Sequence, residues 1–126
     1  KKLIREYGLD GQTLKLALVG SGYTLNTAHD EWANISSAEI SGTGYTADGE
    51  TVSGVTVAAD GSVDATDVVW STATITFRAA VLYISGTVGA LTNPPLFYYL
   101  YDDTPADVAV TGSDFTHVWN ASGVLT

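Results

Sequence analysis

The feature that most constrains the fold is a run of twenty residues, 64–83, that contains neither glycine nor proline. From residue 74 onward Ile75, Phe77, Ala79, Val81 and Tyr83 alternate with the intervening side chains. Successive side chains of a strand point to opposite faces, so this spacing predicts one continuous, half-buried β-strand over residues 74–83. Its β-branched and aromatic residues suit a pleated surface, and we expect the other strands to pair around it.

Length, charge and cysteine content restrict the possible classes of protein. A chain of 126 residues, 45% hydrophobic and 15% charged, predicts a single domain around one core. Fourteen acidic residues against five basic ones give a net charge of -9, which repels phosphate backbones and anionic headgroups, so we expect neither nucleic acid nor a membrane as partner. The chain has no cysteine, which excludes disulfides and thiolate metal sites. No apolar run approaches the roughly 20 residues of a spanning helix, so we expect a soluble chain.

The first twelve residues have a helical pattern. Leu3, Ile4 and Tyr7 share one helical face, which predicts a short helix in a docking segment, residues 1–12, ahead of a β domain, residues 13–126. Isolated helices below about 12 residues are marginal in water, so this segment should dock on the domain or on a neighbouring subunit.

Strand and turn signals follow through the first half of the chain. Residues 13–20 alternate as a first strand, and residues 23–35 suit a connection with one helical turn, in which Trp32 covers the edge of the core. Residues 36–40 predict a short strand. The Asp-Gly pair at 60–61 is a strong tight-turn signal and predicts a β-hairpin.

The second half continues with glycine- and proline-rich connections between strands. Residues 84–95 and 102–114 are predicted connections, residues 115–120 a last strand and residues 121–126 a tail with apolar Val124 and Leu125. Residues 96–101 predict a strand in which Phe97, Tyr99 and Tyr101 oppose Leu96, Tyr98 and Leu100. Since both faces are apolar, this strand lies either between two packed layers or at an interface.

Many short strands, frequent turns and little helical periodicity predict an all-β sandwich or barrel-like domain. Of these we favour a single-domain antiparallel β-sandwich, of jelly-roll or immunoglobulin-like type, with a short N-terminal helix.

Candidate catalytic groups are few. His29 could join Asp30 or Glu31 in a mixed metal site, but a loop histidine bonded to backbone is the better interpretation. A serine, His117 and Asp114 could form a triad on paper, but residues three apart in a strand face opposite ways. No nucleophile motif is present, so we expect no enzyme.

Two acidic clusters, Asp60, Asp64 and Asp67, and Asp102, Asp103 and Asp107, do not match a calcium-binding helix-loop-helix. Solvated turns are the better interpretation, a structural cation the alternative, and we expect no cofactor. Trp70 and Trp119 lie in strand patterns, where they could be core residues or could stack on sugar rings.

Three segments carry a resemblance to a known family. They are YTLNTAHDEW at 23–32, SGTGYTADG at 41–49 and the strand pattern at 70–83. Together with the residues between them, from about 14 to 125, the chain resembles a family of small virion proteins encoded among the structural genes of tailed bacteriophages. SGTVGALTNPP at 85–95 departs from that pattern, in which a more polar, acidic turn is usual.

The resemblance implies a non-enzymatic part of the virus particle, assembled in the bacterial cytoplasm. Its station would be the head, as decoration or head fibre, or the tail and its fibres. The expected partners are other virion proteins, such as the major capsid protein or a fibre component, and further copies of the chain. The residues expected to make these contacts are apolar and aromatic: Leu3, Ile4, Tyr7, Phe97, Tyr99, Tyr101, Val124 and Leu125.

An adhesin-like module that recognises host glycans is the alternative function. In that case Tyr23, Trp32 and Tyr45, in or beside the glycine-rich loops, would form the aromatic platform.

Overall fold

The computed structural model describes residues 13–26, 28–57, 63–101 and 107–119, which form ten β-strands and two short 3₁₀ helices. The strands are β1 (Leu14–Val19), β2 (Glu50–Val52), β3 (Thr56–Val57), β4 (Val63–Asp64), β5 (Val68–Phe77), β6 (Ala79–Ile84), β7 (Thr87–Val88), β8 (Leu91–Thr92), β9 (Pro95–Leu100) and β10 (Val108–His117). The 3₁₀ helices are Trp32–Asn34 and Ser36–Ala38. All described strand pairs are antiparallel, so the fold is all-β, as predicted. Within these ranges no helix is long and apolar enough to cross a bilayer.

A four-stranded sheet in the order β2-β1-β6-β9 forms the centre of the molecule. Strand β6 pairs with β1 through Leu82 and Leu16, and with β9 through Val81 and Tyr98. Every residue of β6 is buried, because strands flank it on both edges and both faces of the sheet are covered. A short apolar run without alternation is typical of a strand in this position.

One face of the four-stranded sheet packs against a second sheet made of β5 and β10. Leu16 and Leu82 from the first sheet share a core with Trp70 and Phe77 of β5. Removing such side chains from water stabilises a fold by roughly 1.5–3 kcal/mol each. This shared core holds the two sheets together.

The β5–β10 pair is long but irregular. Pairing runs from Val108 opposite Phe77 to His117 opposite Val68, and it is interrupted between Val110 and Phe115. At the interruption Gly112 and Thr72 both have left-handed backbone angles, with φ of 58° and 47°. Glycine takes this conformation without steric strain, whereas the Thr72 N–H is held by the carboxylate of Asp114 at 2.8 Å. The interruption divides β10 into two halves.

The opposite face of the four-stranded sheet is covered by the connection that follows β1. Trp32 and Ile35 from this connection pack on Val81 and Tyr83. The rings of Trp32 and Tyr83 stack with centroids 4.8 Å apart and an interplanar angle of 3°. Trp32 is therefore a core residue, as predicted, but it covers a face of the central sheet rather than an edge.

The prediction of one continuous strand over residues 74–83 is wrong. The chain leaves β5 at Phe77 and enters β6 at Ala79, and these strands belong to different sheets. Arg78 makes the transition: its N–H donates to the Val19 carbonyl at 2.9 Å, and its guanidinium Nε is paired with Asp107 at 3.1 Å. The ion pair keeps the Arg78 guanidinium at the surface while the chain passes from one sheet to the other.

Three local predictions also need correction. Residues 36–40 form the 3₁₀ helix Ser36–Ala38 instead of a strand, and only Glu39 makes an isolated bridge, with Val19. The connection predicted over 102–114 includes the first half of β10, since the glycine, serine and aspartate that suggested a turn lie in the strand irregularity. The connection over 84–95 contains the small hairpin β7–β8.

Other predictions are confirmed. Strand β1 occupies the predicted first strand, and β3 pairs with β4 as the hairpin around the Asp-Gly pair, although residues 58–62 lie outside the described ranges. Trp70 and Trp119 are buried core residues. The predicted helix in residues 1–12 and the predicted tail at 121–126 also lie outside the described residues.

Candidate interaction surface

The aromatic face predicted to bind a partner lies against the core of the protein. Phe97, Tyr99 and Tyr101 are half-buried and pack on the core shared by the two sheets. Tyr99 makes an edge contact with Trp119 at 5.8 Å between ring centroids, and Tyr101 makes one with Phe77 at 5.4 Å. Of the two positions that the sequence left open for this strand, packing between layers is the observed one. The role of these residues in partner binding stays a prediction.

His117 is the polar centre of this aromatic cluster. Its side chain is 6% exposed, and its Nδ1 lies 2.7 Å from the hydroxyl of Tyr101. Burial lowers the pKa of His117, and the nearby Asp67 carboxylate only partly opposes that shift. Burial also raises the pKa of Tyr101. Both groups are therefore neutral near pH 7, and their hydrogen bond is structural.

The triad that could be written on paper from a serine, His117 and Asp114 is not assembled, as expected. His117 is enclosed by Tyr99, Tyr101 and Trp119, while Asp114 is exposed and bonded to the backbone of Thr72. Buried His117 and exposed Asp114 thus occupy different environments, as their spacing in the strand predicted.

The described members of the acidic clusters bond to neighbouring groups. Asp64 accepts from the Ala65 N–H at 2.9 Å, Asp67 accepts from the Trp119 N–H at 3.2 Å, and Asp107 is paired with Arg78. Asp60, Asp102 and Asp103 lie outside the described residues. Among the residues that are described, no three ligating side chains come together as a metal site.

The three aromatic residues of the predicted glycan platform do not share one surface. Trp32 is buried, and its indole Nε1 donates to Asp48 at 3.2 Å. Tyr45 packs near Trp70, and its hydroxyl accepts from the Leu18 N–H at 3.0 Å while donating to Glu39 at 2.6 Å. Burial raises the pKa of both Tyr45 and Glu39. The rings of Trp32 and Tyr45 therefore pack inside the protein, where they contact Tyr83 and Trp70 of the two sheets.

Tyr23 instead lines a cleft of about 150 Å³ beside β9. Its ring lies 5.9 Å from that of Tyr98, and its hydroxyl is 3.2 Å from Nδ1 of His29. Leu25, 57% exposed, stands at the same cleft. A volume well below the roughly 300 Å³ of ordinary ligand pockets limits this cleft to a very small group.

The β5–β10 sheet presents a different kind of surface to solvent. We call it the outer face, defined by the exposed residues Val69, Ser71, Thr74, Thr76, Ala109, Thr111 and Thr116. Val118, immediately after β10, extends it and is 67% exposed, while Val69 is 45% exposed. Asp114 is the one Asp, Glu, Lys or Arg within the described strands of this sheet, and its carboxylate is bonded to the Thr72 N–H.

Sequence reasoning missed this surface, although part of its signal was present. Val69, Ser71, Thr74 and Thr76 recur at strand spacing around a bulge, so one side of β5 could have been recognised as exposed. The matching residues of β10 lay within a predicted connection, so the two-stranded face could not be assembled from the sequence.

Comparisons with models of protein families, with curated proteins and with solved structures each find no match. The class that the structure defines is an all-β domain with antiparallel sheets. Its distinctive surface is the uncharged outer face on a chain whose net charge is -9.

Proposed function

We propose that this chain is a non-enzymatic structural protein of a tailed-bacteriophage virion, which decorates the capsid or anchors a fibre through protein–protein contacts. The sequence resemblance over residues 14–125 supports the phage assignment. The outer face supports the contact role. The partners in this proposal are the major capsid protein or a fibre or tail component, together with further copies of the chain, and the location is the virion.

The observation that carries the contact role is the contrast in charge between the outer face and the whole chain. Fourteen acidic residues are present, yet the described strands of the β5–β10 sheet expose only Asp114 among them. Cores of protein interfaces are depleted of charged residues, because desolvating a charge opposes association. The threonine and valine side chains of the outer face carry no charge, so a partner can cover them with little desolvation cost.

The finer description of the fold belongs to the same proposal. A single-domain β-sandwich of jelly-roll or immunoglobulin-like type is supported by the shared core between the four-stranded sheet and the β5–β10 sheet. Sheets that pack face to face in this way are the defining layers of sandwich domains. A short docking helix within residues 1–12 completes the proposed architecture.

The contact surface in this proposal differs in part from the first expectation. The Phe97, Tyr99 and Tyr101 rings are engaged with the core, so their replacement would test stability before it tested binding. The contact role of Leu3, Ile4, Tyr7, Val124 and Leu125 stays a prediction, since these residues lie outside the described ranges. The outer face is therefore the surface to test first.

The test replaces one outer-face threonine by a charged residue and measures binding to particles that lack the chain. Thr76→Glu places a carboxylate on the outer face, beside Ala109 of β10, and we expect co-sedimentation with particles to fall about tenfold, equivalent to about 1.4 kcal/mol. Thr51→Glu is the matched control, because Thr51 is also an exposed strand threonine but belongs to β2 in the other sheet. Equal binding by the two variants would contradict the outer face as the contact.

The alternative function, a carbohydrate-binding module on a tail or fibre, is favoured by one observation. The cleft between Tyr23, His29 and Tyr98 combines aromatic rings with polar groups, and its volume of about 150 Å³ suits contact with no more than part of a single sugar unit. Titration with host polysaccharide, followed by NMR of the Tyr23 and Tyr98 ring protons, tests it. Saturable shifts that Tyr23→Ser abolishes would support this alternative, and unchanged spectra would contradict it.

A further inference from the structure

Two exposed valines lie together at one end of the outer face. Val69 is 45% exposed and is the neighbour of exposed Thr116 in the β5–β10 register, while Val118, 67% exposed, comes two residues after Thr116. Side chains two positions apart along an extended chain point to the same side, so we call these three residues the valine patch. An apolar patch with a polar border is a typical contact surface.

Two carboxylates stand at the border of the valine patch. Asp67 directly precedes β5, is exposed, and accepts from the Trp119 N–H at 3.2 Å, which places it next to Val118. Asp64, three residues earlier, is also exposed and accepts from the Ala65 N–H at 2.9 Å. A carboxylate has about four acceptor sites, so both side chains can accept further hydrogen bonds. This border therefore favours an occupant with positive charge.

The described part of the chain begins at the same end of the molecule. Thr13 and Ser53 are neighbours, because they come directly before β1 and directly after β2, which are paired at that end. The Ser53 carbonyl accepts from the Thr66 N–H at 2.9 Å, and Asp67 follows Thr66 in the chain. These steps place Thr13 within roughly 15 Å of Asp67. The five residues 8–12 span about 17 Å when extended, so residues 1–7 can reach the valine patch of their own chain.

Residues 1–7 match this site in charge and in apolar pattern. Three of the five basic residues of the chain lie in this segment against one acidic residue, so its net charge is +2 and that of residues 8–126 is -11. In the predicted helix Leu3, Ile4 and Tyr7 share one face, which offers an apolar stripe to the valines. Charge attracts the segment to the acidic border, and the stripe can exclude water from the patch.

We propose that residues 1–7 dock on the valine patch of their own chain. The apolar stripe packs on Val69 and Val118, and the lysines and arginine of the segment lie beside Asp64 and Asp67. This inference rests on the docking segment that is part of the proposed function, and it gives that segment a site.

Docking of the segment also sets the extent of the surface that a virion partner can contact. The valine patch is covered within the chain, whereas the rest of the outer face, which includes Thr74, Thr76, Ala109 and Thr111, stays open. Covering the two exposed valines removes the most apolar part of this surface from water before any partner binds.

A spin label on the segment tests the docking, since the native chain contains no cysteine. Gly8→Cys carries the label next to the apolar stripe and leaves the charge unchanged. In ¹⁵N-labelled protein we expect the label to broaden the amide signals of Val69 and Val118 about threefold or more relative to Thr76, which lies seven residues or about 23 Å along β5 from Val69. Chemical reduction of the label should restore the signals. Equal broadening at Val69, Val118 and Thr76, or none at Val69 and Val118, would overturn the proposal.

Isotope mixing separates docking within one chain from docking on a second copy. Spin-labelled Gly8→Cys protein without ¹⁵N is mixed with ¹⁵N-labelled native protein, so that only contacts between copies can broaden a signal. We expect the Val69 and Val118 signals to stay sharp in this mixture. Broadening there as strong as in the singly labelled chain would overturn docking on the same chain and indicate that copies exchange their segments.

Two double variants test the contribution of charge. Asp64→Asn with Asp67→Asn removes both carboxylates at the border but keeps an oxygen for the backbone bonds that they accept, and we expect the ratio of docked to free segment to fall about fivefold. Asp30→Asn with Asp48→Asn changes the net charge equally at two exposed aspartates near Trp32, on the other side of the central sheet, and should leave docking unchanged. Equal effects of the two double variants would contradict the proposed site.

A further variant tests the contribution of the apolar stripe. Leu3→Ser with Ile4→Ser removes most of the stripe without changing charge, so we expect broadening at Val69 and Val118 to be lost. Circular dichroism should show that the β domain is still folded. Unchanged broadening in this variant would overturn packing of the stripe on the valines.

Particle binding distinguishes failure of this inference from failure of the virion role. A chain whose segment docks but which binds no particle would support the docking and contradict the virion role. A chain that binds particles while Val69 and Val118 show no broadening would overturn the docking alone.

Discussion

At the scale of single residues, the tyrosine hydroxyls in and around the core show how differently similar residues contribute. Tyr83 donates to the Asp48 carbonyl at 2.6 Å, and Tyr101 lies 2.7 Å from Nδ1 of His117. The Tyr99 hydroxyl is buried and has no hydrogen-bond partner within the described residues. Burial raises the pKa of Tyr99 to about 12. Tyr83 and Tyr99 lie in the same sheet and Tyr101 directly follows it, yet the three hydroxyls differ in hydrogen bonding and are not equivalent in energy.

The Tyr101→Phe and Tyr99→Phe variants test this difference. Tyr101→Phe removes the partner of a buried histidine, so we expect the free energy of unfolding to fall by about 1–2 kcal/mol. Tyr99→Phe removes an unpaired hydroxyl of the same size and should change stability by less than about 0.5 kcal/mol, or raise it. Urea unfolding measures both. Equal losses for the two variants would contradict the assigned hydrogen bonding.

His117 should also make stability depend on pH. Its pKa is lower in the folded state than the value of about 6.5 expected in the unfolded chain, so the unfolded state binds more protons below that pH. The free energy of unfolding should therefore fall as pH decreases from 6.5 toward the folded-state pKa, by up to about 1.4 kcal/mol per unit. Glu39 acts with opposite sign: burial raises its pKa, so its contribution is complete below its usual pKa and is lost as pH rises through the raised value.

Comparing the native chain with His117→Asn isolates the histidine from Glu39. Between pH 7 and pH 5 the native chain should lose more stability than the variant, because only the native chain contains the buried imidazole. Urea unfolding at several pH values provides the measurement. Parallel pH dependences in the two proteins would show that His117 is equally protonated in both states.

At the scale of elements, the sequence pattern predicted which residues form strands better than it predicted which sheet each strand belongs to. Alternation in β5 identified a half-buried strand, but alternation appeared to continue through β6, whose residues are buried on both faces. Because all six residues of β6 are buried, its sequence pattern did not show which side of the strand faces which layer. Arg78, the one charged residue between the two strands, was the signal of the change of sheet. Strand β10 was half missed because turn-forming residues lie within its bulge.

The close approach of β2 to β1 depends on Gly49. Its φ is +88°, and a Cβ there would lie 2.3 Å from the Leu16 carbonyl oxygen and 2.7 Å from the Ala17 Cα. The Gly49→Ala variant must displace the backbone of the central sheet and also adopt a strained φ angle. We therefore expect its free energy of unfolding to fall by more than about 3 kcal/mol. Gly22→Ala is the control, since no atom lies within 4 Å of its added Cβ, and thermal unfolding should barely change. Similar losses in both variants would contradict this role for Gly49.

At the scale of the whole molecule, composition limited the possible classes of protein. Pairing between distant strands determined the outer face of the β5–β10 sheet. The acidic charge and the absence of cysteine are properties of the sequence alone. The outer face exists only because residues 68–77 pair with residues 108–117, which are 31 positions apart at one end of the register (Phe77 and Val108) and 49 at the other (Val68 and His117). The same pairing turns Tyr99 and Tyr101 toward the core. The sequence left open whether these aromatic residues pack between two layers or lie at an interface with a partner. The strand topology shows that they pack on the core.

The most direct test of the virion role is the number of copies of this chain in purified particles. Quantitative mass spectrometry gives the ratio of this chain to the major capsid protein, and cryo-electron microscopy locates the corresponding density. We expect a fixed ratio and density at symmetry-related positions, with the β5–β10 outer face against the particle. A chain that is absent from purified particles, or present in a variable ratio without ordered density, would contradict it.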